Sequence, residues 1–167
     1  MRNHVLERTQ IIEKPLSEVF PFFANAANLE QITPRFLRFR VTTPGPIEMR
    51  AGARIDYELS LFGVPLHWRT RIEEYVPGVR FVDIQESGPY ALWRHTHSFE
   101  AVGNATRMRD HVEYREPLGP LGRIAHGLFV ERTVNRIFDF RAHEITRHFA
   151  RTATEGSGAG EGLFSGT

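Results

Sequence analysis

Trp93, His95, His97 and Phe99 occupy alternate positions, with Leu92, Arg94, Thr96, Ser98 and Glu100 between them. A second run follows in which Met108, Asp110, Val112 and Tyr114 alternate with Arg107, Arg109, His111, Glu113 and Arg115. A period of two puts each set on one face of a strand, and the largely charged sets face water. Val102-Gly103-Asn104-Ala105 carries the glycine and asparagine that a short hairpin loop requires. A four-residue loop there sets Ala101 opposite Thr106. It pairs Phe99 with Met108, His97 with Asp110, His95 with Val112 and Trp93 with Tyr114 on the inner face. A slip of one residue would bury arginines instead, so this register is strongly specified. The chain is thereby committed to an antiparallel sheet with imidazole and carboxylate side by side in an apolar interior.

The remaining segments extend that sheet. His4 to Ile12 reads as an opening strand. Lys14-Pro15-Leu16-Ser17 starts a helix with proline in its first turn, and Val19, Phe20 and Phe23 form its apolar stripe. A second short helix covers Ala26 to Ile32 and stops at Pro34. Arg38 to Thr43 is a strand, and a Pro- and Gly-rich loop runs from Pro44 to Gly52. Two alternating runs flank Phe62-Gly63-Val64-Pro65 and predict a hairpin with Leu61 opposite Leu66, Leu59 opposite Trp68 and Tyr57 opposite Thr70. Pro77-Gly78 marks the next turn. Arg80 to Glu86 is a further strand whose facing the pattern leaves open, because Phe81, Asp83 and Gln85 compete with Val82 and Ile84.

After Pro117-Leu118-Gly119-Pro120 the spacing becomes helical, with Ile124, Leu128, Val134, Ile137, Phe138, Ile145 and Phe149 on one stripe. This predicts one long closing helix, about Gly122 to Arg151, with Gly119 and Gly122 as the hinge before it. The expected organisation is one domain over residues 1–151 and a disordered Gly- and Ser-rich tail over 152–167. The fold class is α+β: a curved antiparallel sheet of about seven strands around a long C-terminal helix, with two short helices after the first strand.

Composition excludes several functions. The formal net charge is +1, which gives no long-range attraction to nucleic acid or to anionic lipid. Arginines 69, 71, 94, 107, 109 and 115 share the outer face with glutamates 58, 73, 100 and 113, so a solvated, ion-paired surface is expected rather than a nucleic-acid interface. Lys14 is the only lysine and there is no cysteine, which leaves little for Schiff-base chemistry and nothing for thiolates. No apolar stretch approaches a bilayer span and the first residues lack a signal-peptide core. A cytoplasmic location without membrane insertion is expected, and the oligomeric state is left open.

A sheet curled around an amphipathic helix leaves a gap between them. Its expected lining is Tyr57, Leu59, Trp68, Trp93, His95, His97, Phe99, Met108, Asp110, Val112, Tyr114 and Phe138. His97 paired with Asp110 has the form of a general base oriented by a carboxylate, and equally of a buried structural pair. His95, His97 and Asp110 also have the spacing of three metal ligands, although the register offers His95 only Val112. The reading adopted expects neither metal nor cofactor.

Three stretches carry a family resemblance. They are Ile12-Glu13-Lys14-Pro15 through Val19-Phe20 and Asn28-Leu29 to Ile32-Thr33-Pro34; Gly88-Pro89-Tyr90 with Trp93-Arg94-His95-Thr96-His97-Ser98-Phe99; and Asp110-His111-Val112-Glu113-Tyr114 running into Pro117-Leu118-Gly119. From about Val5 to Phe149 the chain resembles the helix-grip superfamily of START lipid-transfer domains and polyketide cyclase/dehydrase-like proteins. It is similar to a bacterial subgroup in which W-x-H-x-H-x-F precedes D-x-V-x-Y. The resemblance implies a small hydrophobic ligand, lipid, sterol-like or aromatic polyketide-like, held between sheet and helix. The resemblance also implies that some members cyclise or dehydrate such compounds; the alternative read from the residues is a cofactor-free cyclase, dehydratase or isomerase with His97 and Asp110 as the catalytic pair and Tyr57 or Tyr114 polarising a substrate oxygen.

Overall fold

The computed structural model describes residues 3–61, 63–117 and 129–157, with side chains to Arg151. The strands are β1 His4–Ile12, β2 Arg40–Val41, β3 Arg54–Leu61, β4 Val64–Val76, β5 Arg80–Ser87, β6 Leu92–Val102 and β7 Ala105–Arg115. Helix α1 spans Leu16–Phe23 and helix α2 Glu131–Ser157. The strands form one antiparallel sheet in the order β1-β7-β6-β5-β4-β3-β2. Sheet and C-terminal helix adopt the expected helix-grip arrangement. Among the described residues no helix is long and apolar enough to cross a membrane.

The β6–β7 register is the expected one throughout, from Trp93 opposite Tyr114 to Ala101 opposite Thr106. The loop is tighter than expected. Val102 still pairs with Ala105, so only Gly103 and Asn104 turn the chain, with Gly103 at φ +60. The β3–β4 hairpin closes in the same way: Leu61 pairs with Val64, Leu59 with Leu66, Tyr57 with Trp68 and Ile55 with Thr70. The expected pairs are therefore displaced by two residues. A displacement of two keeps every side chain on its face, so the inner set survives the correction. Gly63, at φ +81, supplies the left-handed backbone that so short a turn needs.

The short helix expected over Ala26–Ile32 forms as a 3-10 helix, with the Asn25 side chain accepting from the Ala27 amide at 3.1 Å, and it ends before Pro34. The strand expected over Arg38 to Thr43 shortens to β2, because Arg38 adopts a left-handed φ of +45 after a second 3-10 turn, Arg35–Leu37. The Pro117-Leu118-Gly119-Pro120 turn and the helix start at Gly122 lie outside the described residues from Leu118 onward. The described helix continues past Arg151 to Ser157, beyond the expected boundary, and the tail from 158 lies outside the described residues.

Apolar burial fixes how the layers meet. Val19, Phe20, Phe22 and Phe23 of α1 pack with Phe81, Phe99 and Met108 from the sheet and with Ile145 and Phe149 of α2. At the other end of α2, Val134 and Phe138 pack on Leu6, Val112 and Tyr114. Gln10 ties α2 to β1, its Nε2 donating to the Ala142 carbonyl and to Thr146 Oγ1, both at 2.9 Å. On the outer face arginines meet carboxylates as expected: Arg54 and Arg71 share Glu86, Arg69 pairs with Asp56, Arg94 with Glu73 and Arg107 with Glu100.

Candidate functional site

Between the two packed ends of α2 the sheet and helix stand apart around a cavity of about 190 Å³. Its walls are mainly apolar: Ile55, Tyr57, Leu59 and Trp68 from β3 and β4, Phe81 from β5, Trp93 from β6, and Val134, Ile137 and Phe138 from α2. Tyr90 closes one side, fixed by Gln85, whose Nε2 donates to the Tyr90 carbonyl at 2.7 Å while its Oε1 accepts from the Tyr90 amide at 3.2 Å. Gly88 leaves room for that grip, since a Cβ there would lie 2.5 Å from Gln85 Oε1. Tyr90, Trp93 and Trp68 form a ring cluster with centroids 4.9 to 5.7 Å apart.

Of the expected lining residues, Tyr57, Leu59, Trp68, Trp93, His95, His97 and Phe138 lie on the wall. Phe99 and Met108 do not; they are consumed by packing under α1. Val112 and Tyr114 are likewise taken up by Leu6 and the start of α2, and Asp110 stands behind the histidines. Tyr114 therefore does not face a ligand, and burial pushes its hydroxyl up to about 12.

The polar cluster at the wall holds four groups rather than two, Asp83, His95 and His97 on it and Asp110 behind. His95 and His97 are 4% and 3% exposed and their rings lie 3.7 Å apart. His95 Nε2 donates to Asp110 Oδ1 at 2.8 Å. His97 Nδ1 lies 2.9 Å from the same oxygen, without the alignment of a hydrogen bond, and His97 Nε2 meets Asp83 Oδ2 at 3.0 Å. Asp83 Oδ2 is also 3.8 Å from His95 Nδ1. The expected His97–Asp110 approach is present, but the aligned bond belongs to His95, which reaches Asp110 along the diagonal of the ladder rather than its direct neighbour Val112.

Asp83 was the residue whose facing the pattern left open. It sits opposite His95 on β5, and its β4 neighbour Ile72 stands at a register irregularity before Glu74. An irregularity of this kind re-aims side chains and buries both parities of the strand: Phe81 and Val82 are both buried.

Electrostatics distinguishes the two imidazoles. Burial opposes a charge on His97, but Asp110 and Asp83 outweigh it and raise its pKa above the ordinary imidazole value. Burial, reinforced by the neighbouring His97, lowers the pKa of His95 despite the same carboxylates. Burial also works against both carboxylates, yet the histidines hold Asp83 below and Asp110 well below the usual range. The surroundings thus favour a proton on His97 over one on His95, whose Nδ1 lies on the Asp83 side. Tyr57, driven upward by burial, stays a neutral phenol.

One further residue was not anticipated. Arg141 of α2 lines the cavity with Nε and Nη2 buried and, among the described residues, without a hydrogen-bond partner, its guanidinium 5.9 Å from the Phe138 ring centroid. The signal was in the sequence: Val134, Phe138, Arg141, Ile145 and Phe149 recur at helical spacing, so the arginine interrupts the stripe that faces the sheet. A buried cation with unmet donors is costly unless something anionic or oxygen-rich meets it.

Residues 12–140 match a family model described as polyketide cyclase / dehydrase and lipid transport. Similar solved structures include an aromatase/cyclase from Streptomyces sp. R1128, with a TM-score of 0.73 at 13% identity over 91% of this chain and 96% of that one. A START superfamily protein from Mycobacterium smegmatis matches with a TM-score of 0.67 at 9% identity, covering 89% and 99%. A nucleoside-diphosphate sugar epimerase from Corynebacterium glutamicum matches with a TM-score of 0.66 at 23% identity, over 89% of this chain but 30% of that one. A comparison with curated proteins gives no match.

Proposed function

Because the chain belongs to the polyketide cyclase/dehydrase and lipid transport family, we propose that it binds a small, mainly apolar ligand bearing an acidic oxygen, in the cavity between the sheet and α2. The observation that carries this reading is the pairing of an apolar wall with the unmet guanidinium of Arg141. Ring faces of Trp68, Tyr90 and Trp93 suit an aromatic body, and Arg141 suits a carboxylate or enolate at its end.

Size favours the smaller of the ligand classes. Small-molecule pockets commonly enclose about 300–1,000 Å³, and an apolar cavity of about 150 Å³ takes a benzene. At about 190 Å³, this cavity fits a compact one- or two-ring aromatic body, or the end of a longer chain, more readily than a whole sterol. The test uses 2-naphthoate and its methyl ester as probes, with mass spectrometry of ligand released from the purified protein alongside. Both probes should bind saturably. Arg141→Gln should weaken naphthoate by about tenfold or more, the worth of a charged hydrogen bond, and leave the ester nearly unchanged. Failure of both probes to bind the wild-type protein would sink the reading.

A second reading, proton transfer on the bound compound by a cofactor-free cyclase or dehydratase, is favoured by the neutral His95 with Asp110 behind it. This moves the proton acceptor from His97, the expected base, to its neighbour, because two carboxylates favour the protonated form of His97 while burial favours the neutral form of His95. With the ligand identified, His95→Gln should cut its turnover by about 10²–10⁴ while affinity changes little. Turnover that survives the change would return the protein to simple binding.

A further inference from the structure

We propose that Asp83, His95 and His97 form a binding site for a divalent first-row transition ion at the cavity wall, with Asp110 positioning both imidazoles from behind. The donor atoms Asp83 Oδ2, His95 Nδ1 and His97 Nε2 all lie within 4.8 Å of one another. Two of these separations are 3.0 and 3.8 Å. Ligands at about 2.0–2.2 Å from a tetrahedral ion stand about 3.3–3.6 Å apart, so these two separations lie within about half an ångström of that geometry. All three residues come from paired strands: His95 and His97 two apart on β6, Asp83 opposite His95 on β5. Strand placement holds them more firmly than a loop would.

The position of Asp110 is what separates this arrangement from a chance cluster. Its Oδ1 accepts from the back nitrogen of His95, Nε2, at 2.8 Å and lies 2.9 Å from that of His97, Nδ1. Metal-binding histidines characteristically turn their other nitrogen to a carboxylate, which fixes the tautomer and leaves the lone pair at the front. Here one carboxylate stands behind two rings, bonded to His95 and within an ion-pair distance of His97, and both front nitrogens face Asp83. The sequence pattern suggested Asp110 itself as the third ligand; its place behind the wall gives that role to Asp83. Charge agrees: two carboxylates and two neutral imidazoles balance a divalent ion. Arg141 adds positive charge on the same side and favours an anionic co-ligand.

Two imidazoles and one carboxylate, with no cysteine in the chain, select zinc or ferrous iron over thiolate-seeking ions and leave positions open for water or a ligand oxygen. Such an ion would act as a Lewis acid toward that oxygen. The inference stands apart from apolar binding, which needs no ion, and competes with the proton-transfer reading, which needs His95 Nδ1 free.

The experiment is titration of chelator-treated protein with Co²⁺, read by its visible ligand-field bands, and with Zn²⁺ by calorimetry. One equivalent should bind. Asp83→Asn and His95→Gln should each weaken binding by about tenfold or more, and Asp110→Asn by about 10–100-fold although it removes no ligand. The outer-face change His111→Gln should have no effect. X-ray absorption of the zinc-loaded wild type, which does not depend on variants folding, should show two imidazoles. Absence of a one-to-one complex, fewer than two imidazoles, or titrations indifferent to Asp83→Asn would overturn the proposal. Naphthoate binding by chelator-treated protein reports separately on the cavity.

Discussion

Asp110→Ala should lower the unfolding free energy of the metal-free protein by about 3–5 kcal/mol, the usual cost of removing one partner from a buried ionic group. At this chain length that corresponds to a fall of about 6–20 °C in Tm. The reason is geometric: among the described residues Asp110 is the only acceptor for His95 Nε2, and it is one of two carboxylates flanking His97. Asp110→Asn should cost less, because an amide oxygen still accepts from His95. Replacing the whole group with apolar residues, His95→Leu, His97→Met, Asp83→Leu and Asp110→Leu together, should recover most of the loss, since packed hydrocarbon substitutes well for a buried ionic network. Chemical unfolding of the three proteins checks the order. A loss under about 1 kcal/mol for Asp110→Ala would mean that water reaches the group and screens it. An apolar quadruple variant as stable as the wild type would show that these four residues are not there for stability.

The second large effect is on binding. Leu59→Trp places an indole on a wall residue of β3 that faces the cavity and is only half-buried. The sheet should tolerate it, because β3 already pairs large side chains, Tyr57 with Trp68. The ring then occupies the space a ligand needs, and displacing it costs about 1–3 kcal/mol. Naphthoate and its ester should both lose roughly tenfold or more in affinity, unlike the selective loss with Arg141→Gln. Circular dichroism should stay native. If either probe binds Leu59→Trp as well as the wild type, its site lies elsewhere on the protein.

How much of this was legible beforehand depended on whether a side chain's neighbours were set by local period. The β6–β7 ladder was readable because both strands alternate without interruption and a slip would bury arginine. The β3–β4 hairpin was readable in its faces but not its register, because a two-residue turn around a left-handed glycine and a four-residue loop preserve the same alternation. Asp83 was not readable: the irregularity on β4 buries both parities of β5, so no periodic rule selects its face. The missing aspartate made His95 look partnerless and the His97–Asp110 pair look isolated. Arg141 was visible as an arginine on an apolar stripe, a pattern that marks a buried charge only once the helix is known to face a cavity rather than solid core. Phe99, Met108, Val112 and Tyr114 show the converse limit. Period assigns a residue to the inner face, but the helices resting on that face decide which parts are filled.

The sheet order places the first strand made beside the last, with His4 opposite Tyr114 and Ile12 opposite Thr106. During synthesis β1 therefore has no ladder partner until most of the chain has left the ribosome, and α2, which rests on β1 through Gln10, comes later still. Pairings this distant along the chain are formed against a large loop entropy and late. Until then Leu6, Ile12 and the phenylalanines of α1 have no completed surface to cover them, and apolar groups that the finished fold buries stay open to association with other chains.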